Sequence, residues 1–125
     1  MKVTAEKNDK VAKMIFGTIY PLYLNRLEKN GRTKDELNEV IEWLTGFDKK
    51  KINEMIKSKA TFEEFFKAAK MHPNAHMIKG VVCGYRIEEI EDEFEVYKQC
   101  RQMEKLIDEL AKGRKMEKIK REEKK

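Results

Sequence analysis

The chain has 125 residues, of which 40% are hydrophobic and 41% are charged, and its formal net charge is +5. This length is typical of one domain, and the recurring apolar residues exclude a disordered polyampholyte. No apolar run resembles a signal peptide or a membrane span, so we expect a cytoplasmic protein that does not enter the membrane.

The excess positive charge is confined to the C-terminal end. Residues 112–125 carry eight Lys or Arg and three Glu, which leaves twenty residues of each sign before Lys112. We therefore predict an N-terminal extension over 1–13, a single helical domain over 14–112 and a charged tail over 113–125. The tail is predicted to be a frayed, solvated helix end, with weak docking to nucleic acid or an acidic partner as the alternative.

The first helix is predicted within IFGTIYPLYLNRLEKNGR, residues 15–32, and Gly31 lies where a left-handed residue would end it. Pro21 leaves two alternatives. Either Thr18 is the N-cap and the proline lies in the first turn, or the helix begins earlier and kinks at the proline. The predicted core face consists of Ile15, Ile19, Leu22, Tyr23 and Leu27.

The second helix has clear start and stop signals. Thr33 and Glu36 have the spacing of a capping box, and Gly46 is placed to end the helix. Trp43 lies about 60° from the edge of the apolar stripe by helical geometry, so we expect it to be half-buried. The predicted core face consists of Leu37, Val40, Ile41 and Leu44.

Two short helices are predicted next. Asp48 is placed to cap the segment KKKINEMIKSKA, and Thr61 with Glu64 forms a second capping box that opens TFEEFFKAAK. Their predicted core residues are Ile52, Met55, Ile56, Phe62, Phe65, Phe66 and Ala69.

The segment HPNAHMIKGVVCGYRIEEIED, residues 72–92, gives a less certain pattern. Asn74 is a good N-cap, and apolar residues from Met77 to Tyr85 follow a helical period. Gly80 and Gly84 would lie on one face, where another helix could approach closely. Because two glycines lower helix propensity by about 2 kcal/mol in total, a short strand or bend at VVCGYR is the alternative.

The longest predicted helix runs from Asp92 to about Lys112, and Gly113 marks its end. The predicted fold class is thus all-α: a compact bundle of about five to six short helices that ends in one long C-terminal helix. The wide apolar stripe of the last helix favours intramolecular packing over a dimer seam, so a monomer or a homodimer is expected.

Three segments, residues 20–48, 78–92 and 105–119, resemble the bacterial family known as domain of unknown function 2200. WLTGF, GVVCGYR and DELAKG are the most specific pieces, and the resemblance covers about residues 14–120. The family pattern implies a proline after the acidic IED, where this chain has Glu93-Phe94-Glu95. The resemblance implies a small bacterial domain and no catalytic residue.

Metal and cysteine chemistry are poorly supported by the sequence. His72, His76 and Cys83 are potential zinc ligands, but Pro73 interrupts the helical face that their spacing would need. Arg86 lies three residues after Cys83, yet burial in an apolar run would raise the pKa of that thiol. Both cysteines, Cys83 and Cys100, are predicted to be reduced core residues, and we expect no metal and no cofactor.

The acidic row from Glu88 to Glu95 lacks the ligand spacing of a calcium loop and is predicted to be a solvated surface.

The leading functional hypothesis is a non-catalytic module that binds a protein or a small ligand. Phosphate-binding glycine motifs are absent from the sequence, and Ser58 is its only serine, so an enzyme is disfavoured. The candidate binding residues are the amphipathic aromatics and the arginine of the apolar run: Tyr23, Trp43, Tyr85 and Arg86. Roles in the core and at its rim are the alternative for these side chains.

The second hypothesis is a helical DNA- or RNA-binding protein. Gly46-Phe47-Asp48 is a plausible turn between two helices, and the second helix begins with Lys49, Lys50 and Lys51. Three cations at a helix N-terminus oppose the helix dipole, which indicates a role other than helix stability. These lysines and the basic C-terminal tail would form the nucleic-acid surface.

Overall fold

The computed structural model describes residues 3–82 and 84–121, which contain seven α-helices and one antiparallel pair of short strands. The helices are α1 (Ala5–Ala12), α2 (Phe16–Lys29), α3 (Lys34–Thr45), α4 (Lys49–Lys57), α5 (Phe62–Ala68), α6 (Glu95–Ala111) and α7 (Met116–Ile119). The strands are β1 (Val81–Val82) and β2 (Tyr85–Arg86), and short 3-10 turns cover Ala75–Met77, Ile87–Glu89 and Asp92–Phe94. The predicted mostly helical fold with a long C-terminal helix is confirmed.

The long helix α6 lies at the centre of the fold. It packs against α1, α2, α3, α5, α7 and the strand β1. Met103, Leu106 and Leu110 are fully buried on it, and Cys100 is buried as predicted. Within the described ranges, no helix combines the length and apolar character that crossing a membrane requires.

The caps predicted from the sequence for α3, α4 and α5 are confirmed. Thr33 and Thr61 each form a reciprocal capping box, and Asp48 accepts a hydrogen bond from the Lys51 amide at 2.7 Å. Gly46 closes α3 with a φ of +75°, a conformation that favours glycine. The predicted core faces of α3 and α5 are buried except for Ala69, which is half-buried.

Helix α2 begins earlier than the Thr18 alternative requires. Its first residue, Phe16, donates its amide to the Ala60 carbonyl at 2.9 Å, so a backbone partner replaces a side-chain cap. The alternative with an earlier start is therefore correct, and Pro21 lies inside the helix. The predicted core face was wrong at Leu22, which is 59% exposed, because Phe16 and Tyr20 define the buried side.

The predicted helix from Ala75 to Tyr85 is wrong, and the strand alternative is correct. Val81 pairs with Arg86, and Val82 pairs with Tyr85, in antiparallel register. Gly80 and Gly84 have φ values of +107° and +81°, which a right-handed helix cannot contain. Each glycine therefore provides a positive φ angle directly before a strand, Gly80 before β1 and Gly84 before β2, and the two do not share a helix face.

The acidic segment before α6 also differs from the prediction. Asp92–Phe94 forms a 3-10 turn, and the α-helix begins at Glu95 instead of Asp92. The chain thus changes helix type before α6 without a proline.

The predicted solvated tail is wrong for residues 116–121. Ile119 on α7 is fully buried in the main core, and Lys120 forms an ion pair with Glu39 at 2.5 Å. Arg121 donates two hydrogen bonds to Glu109, at 2.6 and 2.7 Å. The last part of the predicted tail, residues 122–125, lies outside the described ranges. At the N-terminal end of the chain, α1 packs on α6. The domain boundaries themselves stay a prediction.

We predict that Ile119→Ala lowers the free energy of unfolding by about 2–5 kcal/mol, because it opens a cavity in the core. Urea unfolding followed by circular dichroism measures this change. Glu117→Ala on the exposed side of α7 is the matched control and should change stability by less than about 0.5 kcal/mol. Equal, small effects of both substitutions would contradict the packing of the tail.

Candidate functional site

Tyr85 on β2 is held by contacts from distant parts of the chain. The Lys7 ammonium donates a hydrogen bond to the Tyr85 hydroxyl at 2.7 Å, and this bond lowers the pKa of Tyr85. The Tyr97 ring on α6 packs edge-on against the Tyr85 ring, with centroids 5.4 Å apart. The ring is therefore fixed by α1, β2 and α6 together.

Arg101 extends this arrangement along α6. Its guanidinium lies 4.6 Å from the Tyr97 ring centroid and 5.9 Å from that of Tyr85, within cation–π range of both. It also donates to the Tyr97 hydroxyl at 3.0 Å and forms an ion pair with Glu104. Burial lowers the pKa of Arg101, but the Glu104 carboxylate raises it further, so the guanidinium stays charged.

Tyr23 approaches the same group from α2. Burial, then the Cys100 thiol and the Glu104 carboxylate, raises the pKa of Tyr23 well above its usual value, so its phenol is neutral at pH 7. We call the whole set the tyrosine–arginine cluster; its members are Lys7, Tyr23, Tyr85, Tyr97, Arg101 and Glu104.

A cavity of about 370 Å³ lies beside the strand pair, and we call it the hairpin cavity. Arg86 and Glu89 at its rim form an ion pair at 3.5 Å and remain 56% and 68% exposed. Tyr85 belongs to both the cavity wall and the tyrosine–arginine cluster. The lining residues are Val3, Val81, Gly84, Tyr85, Arg86, Glu89, Ile90, Glu91 and Phe94.

The four predicted binding residues do not share one cavity. Tyr85 and Arg86 line the hairpin cavity, whereas Tyr23 belongs to the tyrosine–arginine cluster and does not line that cavity. Trp43 is half-buried, as predicted, and stacks on His72 with centroids 4.2 Å apart and an interplanar angle of 19°. It therefore forms a separate aromatic contact.

His72 and His76, two of the three zinc ligands considered from the sequence, each contact the nearby backbone. His72 Nδ1 accepts the Asn74 amide at 3.0 Å, whereas His76 Nδ1 lies 2.9 Å from the Pro73 carbonyl oxygen. Across residues 3–82 and 84–121, no three His, Cys, Asp or Glu side chains are grouped for metal binding. Cys83, the third residue of that hypothesis, lies outside the described ranges.

The three lysines of the nucleic-acid hypothesis lie in the first turn of α4. Lys49 and Lys50 are exposed and border a shallow depression that also includes Lys57. Lys51 lies 3.9 Å from the Glu54 carboxylate. Two of these cations are thus accessible, and the third has an acidic neighbour.

Sequence analysis missed Lys7, Tyr97 and Arg101. Tyr97 and Arg101 are four residues apart on α6, and this spacing places them on one helix face, so the signal was available in the sequence. Lys7 lies in the predicted N-terminal extension and is 78 residues from Tyr85. No local pattern identifies such a partner.

The described residues form a small helical fold with a strand pair before its longest helix. The family described as "Uncharacterized protein conserved in bacteria (DUF2200)" matches residues 10–121, and the chain belongs to this family. The crystal structure of the uncharacterized protein SP1917 is similar, with a TM-score of 0.84 and 29% sequence identity; the match covers 93% of this chain and 97% of that chain. No curated protein matches significantly, and these comparisons indicate no function.

The tyrosine pKa shifts predict opposite effects at alkaline pH. The folded state raises the pKa of Tyr23, so its contribution to stability is present below the ordinary tyrosine pKa of about 10 and is lost as the pH rises above it. Tyr23→Phe should therefore reduce the stability loss between about pH 9 and pH 11. The folded state lowers the pKa of Tyr85, so ionisation of this hydroxyl favours folding as the pH rises. Tyr85→Phe removes that contribution and should make the loss of stability at alkaline pH steeper.

Urea unfolding at a series of pH values measures both effects in the same buffer. Each variant retains its aromatic ring, so the comparison isolates the hydroxyl. Parallel pH profiles for the wild type and the two variants would contradict the assigned environments.

Proposed function

We propose that the chain is a non-catalytic binding module whose hairpin cavity holds a basic, partly apolar peptide segment of a partner protein. The observation that carries this proposal is that Tyr85 and Arg86 line one cavity with an apolar wall and a charged rim. A volume of about 370 Å³ lies within the range of small binding sites.

The cavity wall suits an apolar side chain of the partner. Tyr85 and Ile90 are buried beneath the opening, Phe94 is half-buried and Val81 is 50% exposed. An inserted leucine side chain would remove this exposed apolar surface from water, which contributes about 25 cal/mol per Å².

The charges around the opening favour a cationic occupant. Of the six carboxylates in residues 88–95, those of Glu89 and Glu91 line the hairpin cavity, and Arg86 pairs with Glu89. The Glu91 carboxylate shares a hydrogen bond with the Glu93 carboxyl and repels it, which raises the pKa of Glu93. A lysine or arginine side chain of the partner would relieve this repulsion, and complementary charges also accelerate association.

The tyrosine–arginine cluster supports binding by keeping the cavity wall rigid. Lys7, Tyr97 and Arg101 fix the Tyr85 ring from behind before any ligand enters. A wall that is already ordered loses little conformational entropy on binding.

Binding is better supported than catalysis at this rim. Arg86 and Glu89 are both more than half exposed and are paired with each other. General acid–base catalysis usually relies on groups whose pKa is shifted by burial or by a charged neighbour in a water-poor site. Exposed, paired charges suit electrostatic recognition instead.

We predict that the blocked peptide Lys-Leu-Lys-Leu-Lys binds with a dissociation constant below about 1 mM, whereas Glu-Leu-Glu-Leu-Glu binds at least about tenfold more weakly. Two-dimensional amide NMR measures the affinity, and the shifted signals should cluster at residues 81–94. Shifts centred elsewhere, or equal affinity for both peptides, would reject the proposal.

The variant Glu89→Gln with Glu91→Gln should weaken binding of the basic peptide at least about fivefold, because it removes two carboxylates from the rim. The matched control, Glu28→Gln with Glu63→Gln, removes the same charge from exposed positions on α2 and α5. If both double variants weaken binding equally, the attraction is due to net charge and not to this cavity.

Nucleic-acid binding through Lys49, Lys50 and Lys51 stays a prediction. The cytoplasmic location and the choice between monomer and homodimer also stay predictions.

A further inference from the structure

A second cavity, of about 610 Å³, lies where α6 ends and the chain turns into α7. It is independent of the hairpin cavity, and we call it the basic cavity. Five of its eight lining residues are cationic. The lining residues are Lys105, Asp108, Glu109, Lys112, Gly113, Arg114, Lys115 and Lys118.

The first acid of this lining, Asp108, is held by cations from two directions. Arg26 on α2 forms an ion pair with it, and Lys112 lies 3.1 Å from its second oxygen. Burial raises the pKa of Asp108, but the hydrogen bonds from Arg26 and Lys112 lower it further, so the carboxylate is ionised. Arg26 lies outside the lining and balances the charge of Asp108. The positive charge of Lys112, which lines the cavity, is therefore not cancelled by Asp108.

The second acid, Glu109, is neutralised in the same way. Arg121, outside the lining, donates to both of its oxygens, at 2.6 and 2.7 Å. Arg114 lies 3.5 Å from Glu109 and is 49% exposed, so its guanidinium remains accessible. The two acidic charges of the cavity are therefore balanced by Arg26 and Arg121.

Three lysines of the lining have no acidic partner in the part of the chain that the structure describes. Lys115 and Lys118 are exposed and have no carboxylate within 4.0 Å among residues 3–82 and 84–121. Lys105 also lines the cavity and donates to the Val81 carbonyl at 3.4 Å. Three cations without an acidic partner among the described residues therefore line one cavity, and an anion would reduce their mutual repulsion.

We propose that the basic cavity binds a compact ligand with two or more phosphate groups. Several cations converge on one concavity, and phosphate oxygens accept hydrogen bonds from both the guanidinium and the ammonium groups. A nucleic-acid surface would extend over successive phosphates along a strand, whereas these cations surround one cavity formed by the second half of α6, the following turn and α7. Lys49 and Lys50 do not line this cavity. The arrangement therefore favours a small oligophosphate over a polymer.

Inorganic tripolyphosphate is the probe for this site, measured by isothermal titration calorimetry at low ionic strength. We expect binding that weakens at least about tenfold in the variant Lys115→Gln with Lys118→Gln, because two charge-assisted contacts are lost. Affinity should also fall as salt is added. The matched control, Lys49→Gln with Lys50→Gln, removes the same charge from α4 and should leave the affinity within about twofold.

Two further titrations distinguish the sources of phosphate. Inorganic orthophosphate should bind more weakly than tripolyphosphate, because it engages fewer cations. A single-stranded oligonucleotide that binds more tightly and responds to Lys49→Gln with Lys50→Gln would overturn the proposal in favour of nucleic acid. Absence of tripolyphosphate binding, or binding unaffected by Lys115→Gln with Lys118→Gln, would also overturn it. Circular dichroism melting of each variant verifies that it is folded, and wild-type peptide binding at the hairpin cavity is measured separately.

Discussion

Burial of α6 is the constraint on which the rest of the structure depends. Helices from both ends of the chain pack on it, and Met103, Leu106 and Leu110 lose all contact with water there. Both candidate sites also depend on this helix. Its first half supplies Tyr97 and Arg101 behind the hairpin cavity, and its last turns line the basic cavity. A hydrophobic interaction thus fixes the positions of two polar surfaces.

The two cavities adjoin the same strand but differ in charge. Val81 lines the hairpin cavity, while its carbonyl accepts a hydrogen bond from Lys105, which lines the basic cavity. Acidic residues 88–95 follow the strand pair, and basic residues 112–118 follow α6. Acidic and basic residues are therefore concentrated in separate segments, although the charges before Lys112 sum to zero. The local charge, more than the net charge, determines which ligands approach each surface.

Over residues 75–85, the spacing of apolar residues alone does not distinguish a helix from a pair of strands. Ile78, Val82 and Tyr85 are buried at spacings compatible with a helix, but the same residues are also buried beside a tight strand turn. The positive φ angles of Gly80 and Gly84 decide between the two. A Cβ added at Gly80 would lie 3.4 Å from the Lys105 side chain on α6, a contact that the local pattern does not reveal. The local pattern therefore leaves both the helix and the strand pair possible, and the tertiary structure decides between them.

The sequence by itself determined the caps of α3, α4 and α5 and the core faces of α3 and α5. These features depend on bonds within a few residues or on a regular apolar spacing. Only the tertiary structure decided that Lys7 contacts Tyr85 and that the C-terminal tail packs against α3 and α6. Such contacts join groups far apart in sequence, and their geometry depends on how the whole chain buries its apolar surface.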